Sequence, residues 1–171
     1  MEMRTHSVLT IQKILDEANV RFIFVGGLAV AAHGFARFTK DADIVLELVP
    51  DNIIRAFKAL ATIGYKPNVP IDAESFADAN LRNKWHHEKG MLVLQFWSDQ
   101  HRETKLDVFI EHPFDFDEEW KNCHIAEESG VRMRYATIPT LIAMKQKAGR
   151  DQDLRDIKEL TLIADIKKHG K

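Results

Sequence analysis

Two aspartates one residue apart, Asp41 and Asp43, are the residues of this chain best suited to chemistry. They introduce the apolar run Ala42 to Val49. If that run is a strand, side-chain alternation places both carboxylates on one face and Ala42 and Ile44 on the other. Two neighbouring carboxylates repel each other, and a hard cation such as Mg²⁺ between them relieves that repulsion. The pair therefore predicts a cation site.

A third carboxylate, Asp107, interrupts the apolar run Lys105 to Ile110, which we also predict to be a strand. A buried carboxylate is costly unless it meets solvent, a cation or a hydrogen-bond donor. If the two strands are neighbours, Asp107 completes a cluster with Asp41 and Asp43. Three carboxylates suit two Mg²⁺ ions about 3.5–4 Å apart, which activate an attacking hydroxyl and stabilise a leaving pyrophosphate. Mn²⁺ is an expected substitute.

Glycines and cationic side chains suited to a triphosphate surround this predicted cluster in the sequence. Gly26 and Gly27 follow the apolar run Phe22 to Val25, where unobstructed backbone N–H groups could accept a phosphate. Arg37 and Thr39 could hold further phosphate oxygens by fork geometry and by a hydroxyl contact. These residues predict a nucleotide site.

The tail could supply a second cationic edge through Lys145 and Arg150. The same two residues could instead form ion pairs on a helix surface with Asp153 and Asp156. Both interpretations stay open at this point.

The elements that position these residues alternate between helix and strand, which predicts an α/β layered fold. We expect helices at 7–19, from Gly27 to about Gly34, after an N-cap at Asp51, from Pro139 to Gly149 and from about Asp151. We expect strands at Phe22 to Val25, Ala42 to Val49, Met91 to Phe96 and Lys105 to Ile110, and a hairpin turning at Ser129-Gly130. Residues 65–90 are expected to be a loop with one short helix, Ala73 to Leu81.

Composition narrows the class of protein. The chain has 171 residues, 45% of them hydrophobic and 29% charged, which is typical of one globular unit. We expect residues 1–137 to form the core and residues 138–171 to be helices packed on it, in one compact domain. No signal or membrane segment is recognisable and cysteine occurs once, so a cytoplasmic location is expected. With a net charge of −2, any contact with a polyanion must be local.

The ordered set of motifs resembles the minimal nucleotidyltransferases of the polymerase-beta superfamily, and most of all the abortive-infection toxins of the AbiEii kind. The matching residues are Gly26-Gly27, Arg37 with Thr39, Asp41-Ala-Asp43, Asp107 in Lys-Leu-Asp-Val-Phe, and the tail from Ile138 through Lys145 to Ile157. The resemblance runs from about residue 20 to about residue 160. It implies a nucleotidyltransferase fold, a small mixed sheet flanked by helices with a C-terminal helical segment.

The resemblance also implies a reaction, in which a nucleoside monophosphate passes from a nucleoside triphosphate to an acceptor. Asp41, Asp43 and Asp107 would bind two Mg²⁺ ions and act catalytically. Nucleotide-binding roles fall to five other residues: Gly26, Gly27, Arg37, Thr39 and Lys145. The acceptor would be an RNA end or a protein, and an antitoxin protein is a possible partner.

One residue departs from the family pattern. Members usually carry Ser or Thr directly after the first or second glycine, where its hydroxyl contacts a phosphate, and this chain has Leu28. Two alternatives therefore stay open: an inactive relative that binds a nucleotide or a partner, and a small-molecule nucleotidyltransferase that modifies an antibiotic.

Overall fold

The structure, a computed structural model, describes residues 2–170, with side chains described from residue 5 onward. Helices and strands are interspersed along this range. In chain order they are α1 (Glu2–Glu17), β1 (Phe22–Val25), α2 (Gly26–Ala32), β2 (Ala42–Leu46), α3 (Pro50–Thr62), β3 (Lys66–Pro67), α4 (Ala73–Ala77), α5 (Ala79–Lys89), β4 (Val93–Trp97), β5 (Leu106–Phe109), α6 (Phe116–Asn122), β6 (His124–Glu128), β7 (Val131–Tyr135), α7 (Ile138–Ala148) and α8 (Asp151–His169).

The strands form one mixed sheet in the order β3-β4-β5-β2-β1-β7-β6. The pairs β2–β5 and β1–β7 are parallel, and the other neighbouring pairs are antiparallel. Because β2 lies between β1 and β5, the end of β1 and the starts of β2 and β5 meet at one edge of the sheet. The predicted α/β fold with a small mixed sheet is confirmed.

Burial of apolar side chains on both faces explains why the central strands form. All four residues of β1 are buried, and in β2 only Asp43 is partly exposed. Phe22, Phe24 and Ile44 are among the largest fully buried side chains. Each such side chain contributes about 1.5–3 kcal/mol relative to an exposed one, so the centre of the sheet is a rigid base for its edge residues.

The two C-terminal helices pack on each other, and α7 also packs on α2. Leu141 of α7 and Leu160 of α8 belong to the same buried cluster as the strand residues. The helix α7 begins directly after Thr137, whose hydroxyl caps the helix by accepting a hydrogen bond from Thr140 N–H. The boundary placed at residue 137 stays a prediction.

The segment 65–90 differs from the expected loop with one helix. It holds β3 and two helices, α4 and α5, because Asp78 is extended and interrupts the helical run. The Asp78 carboxylate then caps α5 by accepting from the N–H groups of Asn80 and Leu81 at 2.8 and 3.3 Å. Gly90, at φ +63°, ends α5 in the left-handed conformation that glycine tolerates.

Other elements also differ from the sequence prediction, since α1 begins at Glu2 and not at residue 7, and β2 ends at Leu46 and not at Val49. Asp51 is not an N-cap, because α3 begins at Pro50 with Val49 as its cap residue, and proline fits a first helical turn. The helix α6 is absent from the prediction, although Asp115 caps it by accepting from Glu118 N–H at 3.0 Å. Within residues 2–170, none of the helices has the length and apolar character needed to cross a membrane.

Candidate active site

The structure brings the three predicted carboxylates to one edge of the sheet. Asp43 and Asp107 are register partners on the parallel strands β2 and β5, and Asp41 immediately precedes β2. Ala42 and Ile44 are fully buried whereas Asp41 and Asp43 are partly exposed, which confirms the predicted alternation. The expectation that Asp107 lies beside the first pair is also confirmed.

Burial and the repulsion of neighbouring carboxylates disfavour the ionised forms of Asp43 and Asp107. Burial raises the pKa of Asp43 to about 7, with further upward contributions from the charges of Asp107 and Asp41. The charges of Lys145 and Arg150 act in the opposite direction on the pKa of Asp43. Burial likewise raises the pKa of Asp107, while a hydrogen bond from Gln95 opposes the rise.

Gly26 lies directly against the Asp43 carboxylate. The antiparallel register of β1 and β2 pairs Val25 with Asp43, so the chain turns into α2 at the height of that side chain. A β-carbon on Gly26 would lie 2.9 Å from Asp43 Cγ, and the residue has φ +65°. Glycine is therefore required both by backbone conformation and by the close approach.

Gly27 faces Arg37 and Thr39 in the same way. A β-carbon there would lie 2.8 Å from Thr39 Oγ1 and 3.4 Å from Arg37 Cζ. Thr39 Oγ1 also donates to the backbone oxygen of Asp41 at 3.1 Å. The glycine pair thus has Asp43 against Gly26 and Arg37 with Thr39 against Gly27, and the roles of these residues in nucleotide binding stay predictions.

Gln95 is a neighbour of the cluster that the sequence analysis missed. It is the register partner of Asp107 on the other side, in the antiparallel pair β4–β5. Its Nε2 donates to Asp107 Oδ1 at 2.9 Å. The signal was present in the sequence, since Gln95 is the polar residue of an alternating apolar strand, but its partner depends on the register of β4.

Lys145 and Arg37 both contact one buried carboxylate, Asp156. Lys145 Nζ lies 2.6 Å from Asp156 Oδ2, and Arg37 Nη1 donates to the same oxygen. The residue Lys145 is only 7% exposed and Asp156 is completely buried. The ammonium group of Lys145 is therefore directed at a carboxylate, and its predicted contact with a phosphate stays a prediction.

Asp153 and Arg150 extend this ion-pair network. Arg150 Nε donates to Asp153 Oδ2 at 2.8 Å, and Lys145 Nζ is 3.6 Å from Asp153 Oδ1. Burial alone would raise the pKa of Asp153, but the hydrogen bonds and charges of Arg150, with that of Lys145, outweigh it and lower the pKa. The ion pairs expected from the sequence do form. Asp153, Asp156 and Lys145 are buried, however, so the pairs do not lie on a helix surface.

The donor set fits a hard cation in type and in charge. The three carboxylates offer the oxygen ligands that Mg²⁺ prefers, and the raised pKa of Asp43 marks negative charge that a cation would offset. Across the described part of the chain, no group of three or more His, Cys, Asp or Glu side chains is already spaced to hold a metal ion.

Solved structures of nucleotidyltransferases share this fold. A solution structure of the antibiotic-resistance factor ANT(2″)-Ia matches with a TM-score of 0.57 and 13% sequence identity, over 91% of this chain and 82% of that one. A crystal structure of ANT(2″)-Ia in complex with adenylyl-2″-tobramycin matches with a TM-score of 0.56 and 11% identity, over 97% and 98% of the two chains. At these identities the likeness shows the fold alone.

A comparison with curated proteins finds no match. A family model does match, over residues 12–160, which includes every residue of the site described above. That family is described as the nucleotidyl transferase AbiEii toxin of type IV toxin-antitoxin systems. The chain belongs to the AbiEii nucleotidyltransferase toxin family.

Proposed function

We propose that this protein transfers a nucleoside monophosphate from a nucleoside triphosphate to an RNA end or a protein side chain, in a reaction that requires two Mg²⁺ ions. The observation that supports it best is the pairing of Asp43 with Asp107 on adjacent parallel strands, with Asp41 beside them. Family membership supports a transferase. The type IV toxin-antitoxin description supports a toxin role and an antitoxin partner.

The acidic cluster would hold the metal ions. Asp41 and Asp43 would bind both ions and Asp107 would share one of them. When bound, the ions lower the charge of the triphosphate and favour ionisation of the acceptor hydroxyl. Asp107 then accepts the hydroxyl proton while the acceptor oxygen bonds to the α-phosphorus. The bond from that phosphorus to the β-bridging oxygen breaks, and pyrophosphate leaves.

The triphosphate would lie against the glycine pair. Gly26 and Gly27 open α2 without β-carbons, and Gly26 is partly exposed whereas Gly27 is buried, so the backbone at Gly26 would receive the phosphate oxygens. Arg37 and Thr39 border Gly27 and would supply guanidinium and hydroxyl donors. Lys145 lies within Coulombic reach of Asp43 and contributes positive charge from the interior.

Leu28 bears on the alternative of an inactive, nucleotide-binding relative. In the structure Leu28 is partly buried and packs against the hydrophobic core. It therefore has a packing role in α2, and the hydroxyl that family members place there is missing. The backbone contacts of Gly26 and Gly27 do not depend on that side chain.

The test is a transfer assay with each of the four nucleoside triphosphates, labelled at the α-phosphate, with Mg²⁺ and either total RNA or a cell extract. We expect label in one class of macromolecule, pyrophosphate release, and loss of both on addition of EDTA. The matched variants are Asp43→Asn, expected to transfer on the order of 10²–10³-fold more slowly, and Asp16→Asn, at an exposed aspartate on α1, expected to match the wild type.

The outcome that contradicts transfer is equally clear. If the protein binds a nucleotide but transfers none of it under any of these conditions, the result would favour the alternative of an inactive, nucleotide-binding relative. A parallel incubation with tobramycin examines the small-molecule alternative, which the structural likeness to ANT(2″)-Ia brings into consideration. Label in tobramycin rather than in RNA or protein would assign a small-molecule acceptor.

A further inference from the structure

We propose that Asp156 is a positioning residue that orients Arg37 toward the triphosphate, with Lys145 as the counter-ion that keeps the buried carboxylate in place. The inference rests on the proposed function. It adds a residue of the C-terminal helix α8 to the nucleotide site, although Asp156 itself would touch neither nucleotide nor metal.

Asp156 is a completely buried carboxylate that accepts from three elements of the fold. Arg37 Nη1, from the segment before β2, and Lys145 Nζ, from α7, both reach Oδ2. Gln152 Nε2, one turn earlier on α8, donates to Oδ1 at 2.9 Å. A buried carboxylate with partners on both oxygens has a fixed orientation, so it can hold a mobile side chain such as arginine in one conformation.

Part of the Arg37 side chain, 20% of its surface, stays exposed to a ligand. Its Nε is buried and has no hydrogen-bond partner among the described residues. An unsatisfied buried donor is unfavourable, and a phosphate oxygen is the kind of acceptor that would satisfy it. Because the N–H groups of a guanidinium form a rigid planar fork, fixing Nη1 on Asp156 also fixes the direction of the others.

The position of Gly27 indicates where that phosphate would lie. A β-carbon on Gly27 would be 3.4 Å from Arg37 Cζ, so the guanidinium lies directly against the glycine backbone. A phosphate bound beside the glycine pair would also meet Arg37. Asp156 therefore acts through Arg37, from the side opposite the ligand.

Lys145 supplies a second positive charge to the buried carboxylate of Asp156, in addition to that of Arg37. Two cations contact Asp156 Oδ2, whereas Asp153 carries its own pair with Arg150. Asparagine at position 156 would keep the shape of the side chain and remove its charge. Arg37 would then lose the attraction that fixes its fork, and Lys145 would keep only the longer contact with Asp153.

The test is a double-mutant cycle on the dissociation constant of a nonhydrolysable nucleoside triphosphate with Mg²⁺. We expect Asp156→Asn and Arg37→Gln each to weaken binding by about tenfold, and the double variant to be no weaker than Arg37→Gln within about twofold. Non-additivity of this kind follows only if Asp156 acts through Arg37. Asp165→Asn, an exposed aspartate of the same helix, is the matched control and should bind as the wild type does.

Additive losses, about 100-fold in the double variant, would overturn the inference while leaving the proposed transfer intact. Absence of nucleotide binding by the wild-type protein would overturn the proposed function and the inference together. If Asp156→Asn does not fold, the wild type is compared with Arg37→Lys, which keeps a positive charge for Asp156 but lacks the planar fork. Equal affinities of the wild type and Arg37→Lys would then contradict the role of Asp156 in orienting that fork.

Discussion

Asp43 and Asp107 occupy matching positions on two parallel strands, so two carboxylates that are far apart in the sequence lie side by side. Neither residue is fully buried, and Asp41 adds a third charge at the start of β2. The cluster is bordered by the glycine backbone on one side and by Gln95 on the other. These neighbours make the site testable one contact at a time.

The raised pKa of Asp43 predicts how the metal-free protein responds to pH. Burial holds the pKa of Asp43 at about 7 in the folded protein, against 3.8 for an exposed aspartate, so between these pH values the folded state binds a proton that the unfolded state does not. The free energy of unfolding should therefore fall as pH rises from about 4 to about 7 and stay reduced above it. Asp43→Asn should flatten this part of the profile and stabilise the metal-free protein at pH 8.

The measurement is chemical denaturation in EDTA across this pH range, for the wild type and for Asp43→Asn. Although Asp43→Asn should be more stable, it should be less active. We expect transfer to fall on the order of 10²–10³-fold, because the change removes a charge of the reacting site. Asp16→Asn should match the wild type in both assays. A profile in which Asp43→Asn is less stable than the wild type at pH 8 would show that the carboxylate is structural.

Gly26→Ala should impair the site as well as the fold. The added β-carbon would clash with the Asp43 carboxylate. The alanine would also have to adopt the left-handed backbone conformation of Gly26, at φ +65°. Gly90→Ala is the matched control, because its φ is +63° and nothing lies within 4 Å of the added carbon. Both variants should lose about 1–2 kcal/mol from the conformation itself, and only Gly26→Ala should lose transfer activity.

Denaturation midpoints and transfer rates, measured side by side, check this pair. Equal activity in the two variants would mean that the closeness of Gly26 to Asp43 has no part in function.

Gln95→Leu should reduce turnover without unfolding the protein. The change removes the donor that holds Asp107 Oδ1 at 2.9 Å and leaves that oxygen without its partner. We expect about a tenfold loss in kcat, the lower end of what is typical when a residue that orients a metal ligand is removed. Val93→Thr, two residues earlier on the same face of β4, is the control and should change kcat little.

The measurement is steady-state transfer with the nucleotide concentration varied. A rise in KM at constant kcat would place Gln95 in nucleotide binding instead of in the orientation of Asp107.

Lys145→Met should be strongly destabilising, whereas Lys147→Met should be nearly neutral. Lys145 is 7% exposed and balances Asp156, so its loss leaves a buried carboxylate with one cation fewer and should cost about 3 kcal/mol. Lys147 is exposed on the same helix, and its replacement should change stability by less than about 0.5 kcal/mol. Urea titration of both variants decides the matter, and equal midpoints would contradict a buried ion pair.

Local patterns in the sequence predicted most of the sheet and the acidic cluster. Asp43 and Asp107 each interrupt an apolar run, and strand alternation alone orients such side chains. Gln95 could not be assigned to the site, because its contact depends on the register of β4 against β5, which tertiary pairing decides. The same limit applied to Asp156, whose partner Arg37 is 119 residues away.

The helices that were missed had weak apolar patterns. Among the residues of α5 only Arg82 is buried, so the helix lacks the apolar stripe on which periodicity depends. The sequence marks α5 only at its ends, where Asp78 is the N-cap residue and Gly90 is the C-cap residue. Short polar helices of this kind are recognised from their ends.

The 119-residue separation of Arg37 and Asp156 also bears on the order in which a ribosome would complete the molecule. Synthesis produces the glycine pair and all three carboxylates of the cluster before α8 begins. A nascent chain halted between residues 107 and 156 would carry that entire acidic set and still lack the anchor for Arg37. Synthesis must therefore have passed residue 156 before the anchor for Arg37 can form.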